Sequence, residues 1–243
     1  MEPREYTNMA RIEKRHFWFV QTRAMVKDAL LREGITPESR LLDVGCGTGG
    51  TMQVLGTACK PIGIDMSPQA LEYTVQKTGA PAAVSDATAL PFMDESFDFA
   101  VALDVIEHID NDGLVLREIK RVLKPGGKLV ITVPAHQYLF STHDKALHHV
   151  RRYSRNLLKA RLEESGMTIL RLTYTNFLLF TPIAVIRMAK RLLPEKNKMP
   201  SSDASVPSRP VNDILSLTMA LERSWLKTFN LPYGISLMAV LQA

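Results

Sequence analysis

At 243 residues the chain has room for one sizeable α/β domain with additions, and 46% hydrophobic with 23% charged residues are ordinary globular values that allow a real core. A net charge of +5, without the aromatic interleaving that single-strand binders use, argues against a nucleic-acid binder. Cys46 and Cys59 make neither a disulfide framework nor a metal-ligand spacing, and the first sixteen residues lack a signal peptide's apolar segment, so a reducing, cytoplasmic setting is expected.

Residues 1–39 read as a helical N-terminal cap, closing on Gly34 as a C-cap signal. The texture then changes to short apolar strands alternating with helices. "RLLDV" is a strand running into the glycine turn "GCGTGG", with a helix after it. "PIGID" is a second strand, followed by a helix with Ser67 as N-cap, Pro68 at its first position and Gly79 past its end. "PAAVSD" and "FDFAVALD" are strands three and four. The helix "NDGLVLREIKRVL" places Leu114, Ile119, Val122 and Leu123 on one side and stops at Pro125-Gly126-Gly127, and "KLVITVP" is strand five. This alternation predicts a parallel, doubly wound sheet with both faces covered, cofactor-binding over 40–135. An acceptor-side segment and sixth strand follow over 136–176. A helical insertion spans 177–230, with a mobile Pro/Ser-rich linker at 194–211, and a last strand lies within 231–243. All of it reads as one domain.

Glycines at 45, 47 and 49 let the backbone turn sharply after a strand and approach a ligand closely, yet Gly45, Gly47 and Gly50 also spell a dinucleotide-type G-x-G-x-x-G. The acids decide between them. Asp43, Asp65 and Asp86 each end one of three consecutive strands, suiting a ribose, a purine edge and a cationic tail. No lysine or arginine accompanies the loop in sequence, so a pyrophosphate finds no partner there. A cofactor carrying an ammonium and a sulfonium fits better, which favours S-adenosylmethionine over NAD.

The segments "LLDVGCGTGG", "GIDMSPQAL", "DATALPFMDESFD", "VALDVIEHI" and "LKPGGKLVITVP" resemble, in order and spacing, the motifs of class I S-adenosylmethionine-dependent methyltransferases of the broad type 11, UbiG-like group. The resemblance covers roughly residues 40–135. It implies a Rossmann-like seven-stranded sheet whose last strand, "ISLMAVLQ", is antiparallel. By position it implies that Asp43 and the backbone of Gly45 and Gly47 hold the methionine part. Asp65 takes the ribose, Met66 lies against the adenine, Asp86 and Ala87 read its edge, and Asp104 flanks the reacting end. In UbiG-like relatives an arginine after an aromatic pair binds the cofactor's carboxylate. Arg23, after "HFWF", is the matching candidate, with a surface arginine on an amphipathic helix as the plain alternative.

Methyl transfer is an in-line displacement, so the protein supplies alignment, a dry site and in some cases a base. His16 and Trp18 are candidates to line the acceptor pocket. Glu107 and His108 follow strand four, and His108 is a candidate base or a supporting histidine. The stretch "STHDKALHHVRRYS" crowds His143, Asp144, His148, His149, Arg152 and Tyr153 together. On a helix Asp144 would neighbour His148, and His149 would neighbour Tyr153. His143, Asp144 and His149 are candidate catalytic groups, with His148, Arg152 and Tyr153 on the acceptor. A polar lid and a divalent-metal site are the other readings, and no metal is assigned because no third ligand is identifiable. The stretch resembles text in methyltransferases of glycan and lipid-linked sugar assembly, which points to a small-molecule, sugar or lipid-linked acceptor methylated at oxygen. The apolar segment 177–193 with its basic end reads as a helix covering the sheet, a homodimer contact or a peripheral membrane contact. Residues 172–186 are too short a charge-free run for the roughly 20 residues that span a bilayer. An NAD-dependent oxidoreductase and a non-catalytic methyltransferase-like subunit remain as alternatives.

Overall fold

The computed structural model describes residues 3–192 and 205–243, so most of the linker expected at 194–211 lies outside the described residues. Helices α1 (Pro3–Ile12) and α2 (Phe17–Arg32) precede strand β1 (Arg40–Val44), α3 (Gly50–Leu55), β2 (Lys60–Asp65), α4 (Pro68–Thr78), β3 (Ala82–Val84) and β4 (Phe97–Leu103). Then come α5 (Asp112–Val122), β5 (Leu123–Pro134), α6 (Thr142–Ala146), α7 (Arg155–Glu164), β6 (Thr168–Thr175), α8 (Phe180–Leu192), α9 (Arg209–Leu226) and β7 (Ser236–Gln242).

The strands form one seven-stranded sheet in the order β3-β2-β1-β4-β5-β7-β6. β7 runs antiparallel to both β5 and β6, and the other pairings are parallel. Consecutive residues of β1 and β7 are buried, and because side chains alternate between faces, both faces of the sheet are covered. The chain reverses its winding direction between β1 and β4. Ligands of such sheets bind at the carboxyl ends of those strands.

Helix α4 forms as its caps dictate: Ser67 Oγ accepts from Ala70 N at 3.2 Å, and Gly79 closes the helix at a φ of 64°. Helix α5 corrects the expected face. Val115, Leu116, Ile119 and Val122 are buried, whereas Leu114 points to solvent. The helix ends at Val122, ahead of Pro-Gly-Gly, because Leu123 already pairs with Phe97 as the first residue of β5.

The N-terminal cap and the insertion meet. α9 packs along α2, with Gln21 Nε2 donating to Ser216 Oγ at 2.8 Å and Phe17 N to Asn212 Oδ1 at 3.0 Å. At the far end of α9, buried Glu222 receives the backbone N–H groups of Asn176 and Leu178, fixing the exit from β6. No described helix is long and apolar enough to cross a membrane.

Candidate active site

The glycine loop leaves β1 at the switch point. Gly45 sits at a φ of +69°, and a Cβ there would lie 2.6 Å from Val105 Cγ2, so glycine is required both by conformation and by the approach of the loop after β4. Gly47 N donates to Asp65 Oδ2 at 2.9 Å, and Thr74 Oγ1 on α4 donates to Gly47 O at 2.8 Å. Gly50, the third glycine of the dinucleotide-type pattern, has a different task. Its missing side chain leaves room for the Arg23–Glu13 ion pair.

Burial overturns the surface reading of Arg23, whose guanidinium lies against the glycine loop, and its binding of the cofactor's carboxylate stays an expectation. The residue is buried, and its guanidinium is held by buried Glu13, which also binds Lys77 Nζ and accepts from Thr48 Oγ1 at 2.7 Å. Lys77 donates in turn to Thr48 O. Cations therefore do accompany the loop, brought from α2 and α4, but Glu13 engages both. Glu13 and Asp65 balance the two cations, and Asp43 adds a buried carboxyl that only a cationic ligand would ionise.

Asp43 is 2% exposed, and its Oδ2 has no hydrogen-bond partner. Burial pushes its carboxyl up to about 8, against the pull of Arg23 and with the help of Asp65. An orphaned buried oxygen beneath a glycine turn is a fitting partner for an ammonium group. Asp65 carries one backbone N–H on each oxygen, Gly47 N on Oδ2 and Ser67 N on Oδ1 at 2.9 Å, which leaves further lone pairs for a ribose. Tyr6 of α1 also hydrogen-bonds Asp65 and Ser67, and burial raises its phenol to about 12. Met66 beside it is 65% exposed, free to cover a flat base. Asp86 is exposed, and its Oδ1 caps Thr88 N at 2.8 Å, while Ala87 is buried.

The acceptor side begins at Asp104, held at a positive φ of 54°, a strained conformation of the kind that collects at functional sites. Thr132 Oγ1 donates to its carboxylate at 3.1 Å, and burial raises its carboxyl above the usual range. One turn on, Glu107 is fully buried with neither carboxylate oxygen hydrogen-bonded. Burial, reinforced by Asp104, pushes its carboxyl well up. His108 is lowered to about 4, first by burial and then by His149, so it is neutral.

The stretch 142–153 folds differently from a continuous helix. α6 ends at Ala146 and His148 turns to a φ of 59°, so Asp144 pairs with His149 rather than His148, Oδ1 to Nδ1 at 3.0 Å. His149 then reaches Glu107, with Nε2 3.9 Å from Oε1, and its ring lies edge-on to His108. His148 contributes its backbone carbonyl to His108, and its own side chain is exposed. His143 stays on α6, outside this converging group.

Arg152 and Tyr153 are corrected from acceptor ligands to supports. Arg152 is 3% exposed, with Nε on Asp144 Oδ1 at 2.7 Å and Nη1 on Ala135 O at 3.2 Å. Tyr153 is fully buried, with its hydroxyl on Asp112 Oδ2 at 2.8 Å. His16, half-buried, also has a structural task. It caps α2, Nδ1 accepting from Trp18 N at 3.2 Å, and its ring also bonds the backbone of Ser205. Trp18 packs against the apolar groups around Phe17, Leu179 and Met219 and around Leu139, Ala184 and Ile235.

Sequence reasoning missed an aromatic cluster at the end of β5. His136 stacks on Tyr174 and lies against Tyr138, Phe180 and Tyr233. Strand period exposes none of this, because the members come from four separate segments. Sequence reasoning also left Glu13, Lys77 and Tyr6 unassigned.

Residues 42–131 match the family model described as "Methyltransferase domain". The chain is 36% identical over 123 residues to 2-methyl-6-phytyl-1,4-hydroquinone methyltransferase of Synechocystis sp., covering 46% of this chain and 39% of that protein. It is 32% identical over 152 residues to demethylmenaquinone methyltransferase of Staphylococcus aureus, covering 57% and 60%. The chain thus matches about two- to three-fifths of the length of these curated relatives. A SAM-dependent methyltransferase from Thermotoga maritima superposes with a TM-score of 0.63 at 18% identity, over 98% of this chain and 95% of that one. Residues 42–131, whose acids and glycines suit an adenosyl sulfonium, are thus a class I S-adenosylmethionine-dependent methyltransferase domain, with S-adenosylmethionine as its cofactor.

Proposed function

We propose that the protein transfers a methyl group to a hydroxyl of a small-molecule, sugar or lipid-linked acceptor. The observation that carries the reading is the unpartnered, buried Asp43 oxygen beneath the glycine loop, beside Asp65. Asp43 and the backbone of Gly45 and Gly47 would hold the methionine part, Asp65 the ribose, Met66 the adenine face, and Asp86 with Ala87 its edge. Bound S-adenosylmethionine supplies an electrophilic methyl carbon, whose transfer breaks the carbon–sulfur bond, leaves that electron pair on sulfur and yields S-adenosylhomocysteine. Asp104 borders the reacting end. The acceptor oxygen sheds its proton at the group formed by Glu107, His108 and His149, with Asp144 fixing the His149 ring.

An acceptor bearing a ring is supported by the aromatic cluster around His136 and by the quinone-directed names of the curated relatives. A greasy one is supported by the outward apolar residues Val185, Ile186 and Met188 on α8 and Ile214, Leu217 and Leu221 on α9.

Methyl transfer gives the first expectation. Radiolabel from methyl-labelled S-adenosylmethionine should pass to an acceptor drawn from a panel of hydroxylated rings and sugars, and His149→Ala should lower kcat about a hundredfold with cofactor affinity unchanged. Tight NADH binding with none for S-adenosylhomocysteine would instead mark an oxidoreductase, and product binding without turnover on any acceptor a non-catalytic subunit.

Asp43 gives the second expectation. Burial keeps it protonated in the free protein to about 8, and a cationic ligand favours the ionised form. Binding of S-adenosylhomocysteine at about pH 7 should therefore release close to one proton, and affinity should rise with pH until Asp43 is ionised unaided. Calorimetry in buffers of different ionisation enthalpy reads this directly. Proton uptake, or none, would remove Asp43 from the ligand.

A further inference from the structure

We infer that Glu107, His108 and His149 form a binding site for one divalent first-row transition-metal ion. Among the described residues, their donor atoms converge, all within 4.8 Å of one another, with Glu107 Oε1 and His149 Nε2 at 3.9 Å. Bonds of about 2.0–2.1 Å to nitrogen and oxygen in a tetrahedral site put ligand atoms ~3.4 Å apart. Small side-chain rotations close that difference.

Three further observations point to a ligand. The first is Glu107 itself, whose two oxygens are both buried and unpaired. Such a group is costly to leave unsatisfied, and a cation satisfies it. The second is the shell behind the histidines. Asp144 receives His149 Nδ1, which leaves Nε2 to face Glu107, and the His148 carbonyl receives a ring N–H of His108. A carboxylate or carbonyl on the far ring nitrogen is the arrangement that orients metal-binding imidazoles. Asp144 is itself pinned by Arg152 Nε and by Ser141 N at 2.8 Å. The third is the clamp between the two contributing segments. Val150 N donates to Glu107 O at 2.8 Å, and Arg151 Nη1 donates to Ile109 O at 3.2 Å, so the histidines cannot drift apart.

The donor set selects the ion. Two imidazoles and one carboxylate suit zinc, cobalt, manganese or iron(II), whereas magnesium and calcium prefer all-oxygen shells. Three protein ligands leave at least one coordination position for water or an acceptor oxygen. With the ion bound, these three side chains would act as its ligands and not as the proton acceptor, and an acceptor hydroxyl bound there would lose its proton to water more readily, because the ion stabilises the resulting oxyanion. This last role rests on the proposed methyl transfer; the site does not.

The test uses the whole 243-residue chain, stripped with a chelator and titrated with Co2+ or Zn2+ alone, without cofactor. One ion per chain is expected, with the Co2+ form showing visible absorption. Glu107→Gln and His149→Ala should each weaken binding at least tenfold, and Asp144→Asn about 10- to 100-fold through the orientation of His149. His143→Ala, outside the group, should bind as wild type does. Glu107→Gln replaces an unpaired buried acid with a neutral isostere and is expected to fold, so it decides the matter if His149→Ala does not. Failure of the folded wild type to take up either ion overturns the inference. So does uptake unchanged in Glu107→Gln. S-adenosylhomocysteine binding, measured separately, distinguishes this failure from failure of the methyltransferase reading.

Discussion

Asp65→Ala is expected to bind S-adenosylhomocysteine about a thousandfold more weakly than wild type, as read by calorimetry. The carboxylate is the proposed acceptor for two ribose hydroxyls, and hydrogen bonds to a charged group are worth about 1.5–3 kcal/mol each. The same oxygens hold Gly47 N and Ser67 N at 2.9 Å, so removing them also frees the glycine loop and the start of α4. Asp65→Asn should fall between the two, because an amide keeps one acceptor oxygen but replaces the other with a donor. Unchanged affinity in Asp65→Ala would mean that the nucleoside lies elsewhere, and the rest of the cofactor assignment would go with it.

Asp144→Ala should cost about 3–5 kcal/mol of folding stability, a fall on the order of 10 °C in Tm for a chain of this size. Asp144 is fully buried and is bonded by Arg152, His149, Ser141 and Arg187. Its removal strands the guanidinium of Arg152, itself nearly buried, without a counter-charge. Asp144→Ala with Arg152→Met should recover part of the loss, since an apolar pair replaces the stranded charge. Thermal and urea unfolding check both variants. If Asp144→Ala melts with the wild type, the pair contributes nothing, and a mobile polar lid becomes the better description of 141–153.

The layered sheet was readable because each strand is a short apolar run bounded by residues with strong local preferences. Ser67, Pro68 and Gly79 mark both ends of α4 within a dozen residues of one another. The resemblance across 40–135 added the order of motifs, and strand order and the antiparallel β7 follow it. What failed were inferences needing a partner far along the chain. Lys77 lies well after the glycine loop in sequence but beside it in space, so the loop looked free of cations. Glu107 was visible yet had no assigned partner, because His149 arrives from beyond β5. Within 142–153 the error was local. A helical period was assumed past Ala146, whereas the left-handed turn at His148 moves the imidazole facing Asp144 from one histidine to the next. Leu114 failed because amphipathic spacing fixes a stripe only to within a residue, and its neighbour Val115 is the one that packs.

Glu13 joins what a division into cap and core would separate. One carboxylate, 35 residues upstream of Thr48, ties α2, α4 and the nucleotide turn together. A chain begun after that position would leave Arg23 and Lys77 without the carboxylate that bonds them both, repelling each other under the very loop they brace. The opening residues are thus the electrical keel of the nucleotide fold, and a start shifted past residue 13 would be felt at the ligand before it was felt at the N-terminus.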